Sequence, residues 1–97
     1  MGSIADDNAN GSFGLKDLGL AIVVTRTVAG LSQSRLARLC KLSTERIDLI
    51  ERGHADPNIG EVIRICNALQ LRPVMFFSLA EQLHQNINRI DVEEIDH

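Results

Sequence analysis

The chain has 97 residues and a mass of 10.7 kDa, enough for one domain with a single core. Hydrophobic residues make up 44% and charged residues 24% of the chain, as in a globular protein, whereas aromatic residues make up only 3%. The scarcity of aromatic residues disfavours an all-β fold, and no apolar run approaches the roughly 18 residues of a membrane span. The two cysteines form neither a CxxC nor a zinc pattern, so we expect a reduced, cytoplasmic protein.

The formal net charge of −3 is distributed unevenly along the chain. Residues 14–72 carry nine Lys or Arg and six Asp or Glu, whereas residues 1–13 and 73–97 are acidic. The total charge therefore argues against a simple nucleic-acid binder, but the centre is mildly basic. That central excess fits either an anion-binding face or an ordinary solvated surface.

The first half of the chain predicts a tail and three helices. Residues 1–13 lack an apolar period and are rich in turn formers, which indicates disorder. Residues 15–29 form a helix pattern that is apolar nearly all round, as in a helix buried on several sides, and Gly30 can end it. Ser32 and Ser43 are N-cap candidates for two shorter helices, the second of which ends at Gly53.

The second half of the chain predicts two further helices. Asn58 can cap a fourth helix with an apolar stripe up to Leu69, after which Pro73 interrupts the pattern. Beyond Pro73 the apolar residues follow the 4, 3, 4, 3 spacing of a helix that packs on another helix: Phe76, Ala80, Leu83, Ile87 and Ile90. We expect the segment 73–92 that carries this face to form a dimer surface, to cover the chain's own core as a fifth helix, or to do both.

The predicted architecture is an all-α bundle of five helices with short connections. The turn of about four residues between Cys40 and Ser43 makes its two helices cross steeply, as in a helix-turn-helix. We divide the chain into a disordered tail at 1–13, a helix-turn-helix domain at 14–78, and a C-terminal helical extension with an acidic tail at 79–97.

The central segment resembles the lambdoid repressor/Cro (XRE-type) helix-turn-helix family. The matching positions are Leu18, Gly19, Ile22, Arg26, Ser32, Gln33, Leu36, Ala37, Ser43, Ile47, Ile50, Glu51, Gly53 and Pro57. The resemblance covers about residues 15–78 and implies a five-helix, lambda-repressor-like DNA-binding domain. Two features depart from the family pattern. Lys41 occupies the turn position that Gly usually holds, and the third helix carries the acidic Glu45 and Asp48, with Leu49 where a long polar side chain is usual.

The resemblance also implies roles for individual residues, since the third helix of this family enters the major groove of DNA. It assigns base reading to Thr44, Glu45, Asp48 and Leu49, of which a glutamate can accept from a cytosine amino group. It assigns phosphate binding to Gln33, Arg35, Lys41, Ser43, Arg46 and Arg52. Arg26 and Glu51 resemble the internal ion pair of the family, which joins the first helix to the end of the third.

These expectations lead to a sequence-specific DNA-binding transcriptional regulator that acts as a homodimer on a palindromic operator. One alternative is an antitoxin that binds both a toxin and its own operator, and another is a restriction-modification controller protein. We expect no enzyme, cofactor or metal site, because His54, His84 and His97 are scattered and no Gly-rich phosphate loop is present in the sequence. The cysteines are expected to be buried apolar residues.

Overall fold

A computed structural model describes the backbone of residues 13–96 and the side chains of residues 13–86. The predicted tail up to residue 12 lies outside the described residues, as do the side chains of Ile87 and Ile90. The described chain contains five α-helices and no strand: α1 Leu15–Val28, α2 Gln33–Leu39, α3 Thr44–Glu51, α4 Ile59–Leu69 and α5 Pro73–Asp96. The predicted five-helix, all-α class is therefore confirmed.

Polar side chains begin α2, α3 and α4 at the predicted positions. Ser32 Oγ accepts a hydrogen bond from the Arg35 N–H at 3.1 Å, and Ser43 Oγ accepts one from the Arg46 N–H at 3.0 Å. Asn58 Oδ1 accepts from the Glu61 N–H at 2.8 Å, while the Glu61 carboxylate accepts from the Asn58 N–H at 3.0 Å. Each of these bonds pairs an N–H that the helix itself cannot pair.

One or two residues after each of the first four helices, the backbone adopts the left-handed conformation. Two of these residues are Gly30 and Gly53, but Lys41 (φ 59°) and Gln70 (φ 58°) carry side chains. At Lys41 the chain makes both bonds of a Schellman end: the Leu42 N–H donates to the Ala37 carbonyl, and the Lys41 N–H donates to the Arg38 carbonyl. This closed end forms the turn between α2 and α3.

All five helices contribute to one core. α1 packs against α3 and α5, α2 against α3 and α4, and α4 against α5. The buried apolar residues are Ala21, Ile22, Leu36, Ala37, Cys40, Ile47, Ile50, Val62, Ile65, Cys66, Leu69, Phe76 and Ala80. Gly19 lies directly against the backbone of Ile50 and Glu51, and a β-carbon there would overlap both carbonyl groups. α1 therefore approaches the end of α3 as closely as backbones permit.

α5 begins earlier than the apolar spacing suggested. Pro73 is its first residue rather than a break before Phe76, because proline lacks only an N–H that the first turn cannot use. Phe76 and Ala80 are 2% and 0% exposed within the single chain, so they cover its own core. Phe13 also joins the fold, with its ring 5.7 Å from that of Phe77. The expected boundary between residues 78 and 79 falls inside one continuous helix.

Among the described residues, no single helix is both long and apolar enough to cross a membrane. The two consecutive segments Ile59–Leu69 and Pro73–Asn86 meet that test only when taken together, and they are bent by 94°. Both of them supply residues to the core.

Candidate nucleic-acid interface

The N-terminal end of α3 is open to solvent. Thr44 and Glu45 are exposed, and their backbone N–H groups make no hydrogen bond within the described residues, because the first intrahelical bond is donated by Ile47. Ser43 accepts the Arg46 N–H and keeps its own hydroxyl proton available to donate. Two N–H groups and one hydroxyl therefore meet at the positive end of the helix dipole.

Exposed cations lie on α2 and on the turn that follows it. Arg35, Arg38 and Lys41 are exposed, and none has an ion-pair partner within the described residues. The α2 sequence QSRLARL contains no acidic residue that could neutralise them. Arg38 was not among the expected contacts, although it lies with Arg35 on the helix side opposite the buried Leu36 and Ala37.

An ion pair joins α1 to the end of α3. Arg26 Nε lies 2.7 Å from Glu51 Oε2, a second guanidinium nitrogen lies 3.1 Å from Oε1, and a third donates to the Leu31 carbonyl at 2.9 Å. The Glu51 side chain is only 3% exposed, and hydrogen bonding to it raises the pKa of Arg26. These are the two residues for which the sequence predicted an internal pair.

Gln33 extends this pair into a network across three helices. Its amide nitrogen donates to Glu51 Oε1 at 2.8 Å and to Asp48 Oδ1 at 3.1 Å. Both partners are carboxylates, which accept hydrogen bonds only, so the orientation of the Gln33 amide is fixed. Both of its hydrogens point into the protein, and the side chain braces α2 against α3 instead of donating outward.

Asp48 is also occupied on its second oxygen. Arg52 lies 3.0 Å from Asp48 Oδ2, one turn further along α3. The two acids on the outer side of α3 therefore differ: both oxygens of Asp48 have partners, whereas the exposed Glu45 carboxylate has none within the described residues. Leu49, the remaining predicted base-reading residue, is half-buried.

Arg46, which the resemblance assigned to a phosphate, is paired inside the chain. Two of its nitrogens lie 3.1 and 2.9 Å from the two oxygens of Glu61, and the guanidinium also donates to the Asp56 carbonyl at 3.2 Å. Hydrogen bonds from Arg46 are the main reason why the pKa of Glu61 is lowered. This bidentate contact ties the first turn of α3 to the N-terminus of α4, a link that no local sequence pattern indicated.

Three of the five residues of the expected dimer face contact the core, and the side chains of the other two, Ile87 and Ile90, lie outside the described residues. Phe76 and Ala80 are buried in the single chain, and Leu83 is partly buried against the same core. Val74 and Met75, at the start of α5, are well exposed. The described part of α5 therefore supports its role as a cover for the core.

Comparisons with known proteins agree with this geometry. The HTH_3 helix-turn-helix family model matches residues 17–76, more than half of the chain. The restriction-modification controller protein C.AhdI from Aeromonas hydrophila is 29% identical, with a TM-score of 0.63 over 64% of this chain and 94% of its own. The wild-type controller protein C.Esp1396I is 28% identical, with a TM-score of 0.66 over 72% of this chain and 94% of its own.

A more distant structure shows that the fold likeness extends further along the chain. The clp gene regulator ClgR from Corynebacterium glutamicum is 20% identical, with a TM-score of 0.75 over 84% of this chain and 87% of its own. No curated protein sequence matches the chain.

The fold and the exposed end of α3 define a helix-turn-helix protein. The chain belongs to the HTH_3 family, the Cro/C1-type (XRE) group of DNA-binding transcriptional regulators.

Proposed function

We propose that this protein is a sequence-specific transcriptional regulator that binds a palindromic operator as a homodimer. The observation that carries this proposal is the solvent-open N-terminus of α3, flanked by the exposed cations of α2. Phosphate contacts orient a DNA-binding protein, and base contacts give it specificity. The exposed cations of α2 can supply the phosphate contacts, and the open N-terminus of the adjacent helix α3 can supply the base contacts.

In this proposal, Arg35, Arg38 and Lys41 bind phosphates through charge. The Ser43 hydroxyl and the free N–H groups of Thr44 and Glu45 bind a further phosphate or a base at the tip of α3. Thr44 and Glu45 face the base edges, and Leu49 contacts apolar groups such as a thymine methyl.

The remaining polar residues hold α3 in position. The Gln33–Asp48–Glu51 network fixes α3 to α2, and the Arg46–Glu61 contact fixes it to α4. Arg52 is occupied with Asp48 at the far end of the helix. Rigid support of this kind keeps the contacts of α3 in register with the base pairs.

A homodimer follows from the size of the interface. A single helical module buries a small area on DNA, and helix-turn-helix proteins reach tight binding by placing two copies on two half-sites. The segment 73–92 remains our proposal for the dimer surface, with the surface supplied by residues other than the buried Phe76 and Ala80.

Selection of bound duplexes from a random library with the purified protein tests the proposal. We expect enrichment of a palindrome whose half-sites are centred about one helical turn, or a multiple of it, apart. Enrichment of a single, asymmetric site would contradict the homodimer. A folded protein that enriches no sequence would contradict operator binding itself.

A second candidate is a restriction-modification controller, which is one form of the same regulatory activity. C.AhdI and C.Esp1396I, both described as controller proteins, match over nearly their whole length at 28–29% identity. A neighbouring gene for a DNA methyltransferase or endonuclease, with the selected palindrome upstream of it, would support this candidate. A neighbouring toxin gene would instead support the antitoxin alternative raised by the sequence.

A further inference from the structure

We propose that α3 reads a cytosine in the major groove through the carboxylate of Glu45, which accepts a hydrogen bond from the cytosine N4 amino group. This inference rests on the proposed function and adds to it the identity of one recognised base. It follows from counting which hydrogen-bonding atoms at the tip of α3 are free and which already have partners.

The free side-chain atoms on the reading side of α3 are mostly acceptors. Glu45, the second residue of the helix, is exposed, and its carboxylate has no partner within the described residues. Gln33 uses both amide hydrogens on carboxylates, so only its carbonyl oxygen remains, and that oxygen is not occluded. An ionised carboxylate and an amide carbonyl can accept hydrogen bonds but cannot donate them.

The strong donor in the first turn of α3 is not free. The Arg46 guanidinium holds both oxygens of Glu61 and the carbonyl of Asp56, and the Glu61 side chain is only 9% exposed. Turning Arg46 toward DNA would leave a nearly buried carboxylate without its cation, which is unfavourable. The bidentate contact of arginine with guanine, the commonest specific contact in protein–DNA complexes, is therefore unavailable to Arg46.

The four bases differ in how well their major-groove edges accommodate the Glu45 carboxylate. Guanine presents two acceptors in the major groove, N7 and O6, and thymine presents the acceptor O4, so these edges repel a carboxylate. Adenine offers its N6 amino group but places the acceptor N7 beside it. Cytosine offers the N4 amino group and has no acceptor on its own major-groove edge, so it is the base that fits a carboxylate best.

Two matched substitutions test this inference on the operator found by library selection. Glu45→Gln and Glu81→Gln each convert one exposed carboxylate into an amide of the same size. A glutamine can bind adenine in a bidentate manner through N6 and N7, so Glu45→Gln should change the preferred base at one position from cytosine to adenine. Glu81→Gln should leave every base preference unchanged, because Glu81 is an exposed residue of α5 and lies on neither α2 nor α3.

Affinity measurements on a base-substituted operator give the size of the effect. Replacing the cytosine should weaken binding of the wild-type protein by about 5- to 150-fold, and Glu45→Ala should abolish that difference at this position alone. Circular dichroism verifies that the variants are folded.

The possible failures are distinguishable. If Glu45→Ala keeps all base preferences of the wild type, or if the position requires guanine N7 on the contacted strand, the inference is wrong while the proposed function stands. If the folded wild-type protein selects no duplex, both the inference and the proposed function are wrong.

Discussion

Lys41 combines a strained backbone with an exposed charge. Its φ of 59° places a side chain in the left-handed region, which costs about 1 kcal/mol for a residue other than Gly. Gln70 ends α4 with the same conformation (φ 58°), so the chain contains two comparable sites, of which only Lys41 lies in the turn that precedes α3.

Replacing Lys41 and Gln70 individually with Gly distinguishes the effect of backbone strain on stability from the effect of the Lys41 charge on DNA binding. We expect Lys41→Gly and Gln70→Gly each to raise the free energy of unfolding by at most about 1 kcal/mol, because Gly adopts this conformation without strain. Lys41→Gly should also weaken DNA binding and reduce the salt dependence of log K by about one unit, whereas Gln70→Gly should change neither.

Thermal unfolding and duplex titrations at several salt concentrations measure both effects. An unchanged salt dependence in Lys41→Gly would remove Lys41 from the phosphate contacts. A loss of stability in that variant would show that the lysine side chain stabilises the turn.

The sequence predicted the exposed positions better than their partners. Helical periodicity distinguishes the outer Thr44 and Glu45 from the inner Ile47 and Ile50, and the structure has this arrangement. Periodicity carries no information about which exposed charges pair. Arg46 and Glu61 are fifteen residues apart, and only the tertiary fold, in which α2 packs against both α3 and α4, brings them to 2.9 Å.

At the scale of whole elements, the Arg46–Glu61 contact should affect stability in acid. Its hydrogen bonds lower the pKa of Glu61 below the value of about 4.3 found in an unfolded chain. The carboxylate therefore stabilises the fold fully above that pH, and the stabilisation is lost as the pH falls through the lowered pKa.

Glu61→Gln should thus be less stable than the wild type at pH 7, and the difference should shrink as the pH falls below about 4. Urea unfolding at several pH values measures this difference in the free energy of unfolding. Glu81→Gln, which removes an exposed carboxylate from α5, is the control, because it retains the Arg46–Glu61 pair. A constant difference between wild type and Glu61→Gln across the acid range would contradict the assigned role of this pair.

The contact between α1 and α3 depends on Gly19. A β-carbon at this position would lie 2.6 Å from the Ile50 carbonyl oxygen and would also overlap the Glu51 carbonyl. Both are backbone atoms that can move only if α3 moves. We expect Gly19→Ala to destabilise the protein by about 1–3 kcal/mol and to weaken DNA binding by displacing α3.

Gly60 provides a matched control in the first turn of α4. A β-carbon there meets only the end of the Asn58 side chain, at 3.3 Å. Since Ala favours a helix over Gly by about 0.5–1 kcal/mol, Gly60→Ala should not lower the melting temperature. If Gly19→Ala were as stable as Gly60→Ala, the close contact between α1 and α3 would not be needed for the stability of the fold.

The helices themselves could be predicted because their caps are local. Ser32, Ser43 and Asn58 each bond an N–H three residues ahead, and such short-range contacts are visible in the sequence. The start of α5 was misjudged because proline both breaks a helix interior and opens a first turn. Whether Pro73 breaks a helix or begins one depends on the packing of Phe76, which the sequence alone does not show.

At the scale of the whole molecule, the net charge and the number of copies on the operator together determine how tightly the protein can bind DNA. The exposed cations of α2 lie in a protein whose formal net charge is −3, so long-range attraction to DNA is weak and local contacts matter more. In the proposed complex, two copies on one operator would double these contacts. This is a further reason why we propose a dimer as the form that binds DNA.

The dimer surface can be tested by a truncation that spares the core. α5 contributes Phe76 and Ala80 to the core and packs Leu83 against it, and His84 Nδ1 lies 3.0 Å from Asp17 Oδ2 of α1. A chain that ends at Asn86 keeps all of these contacts and removes residues 87–97. A chain that ends at Ser78 would expose the core and report on folding instead.

We expect the chain ending at Asn86 to be folded by circular dichroism, monomeric in sedimentation, and much weaker than the full chain on the palindrome. Its binding to an isolated half-site should match that of the full-length monomer, because α2 and α3 are unchanged. If the truncated protein remains a dimer, residues 87–97 are not needed for the interface, and the exposed Val74 and Met75, which the truncation retains within segment 73–92, would be the next residues to replace. A dimer that survives those replacements would place the interface outside the segment, and the exposed Ile59 and Ile63 of α4 would then need the same test.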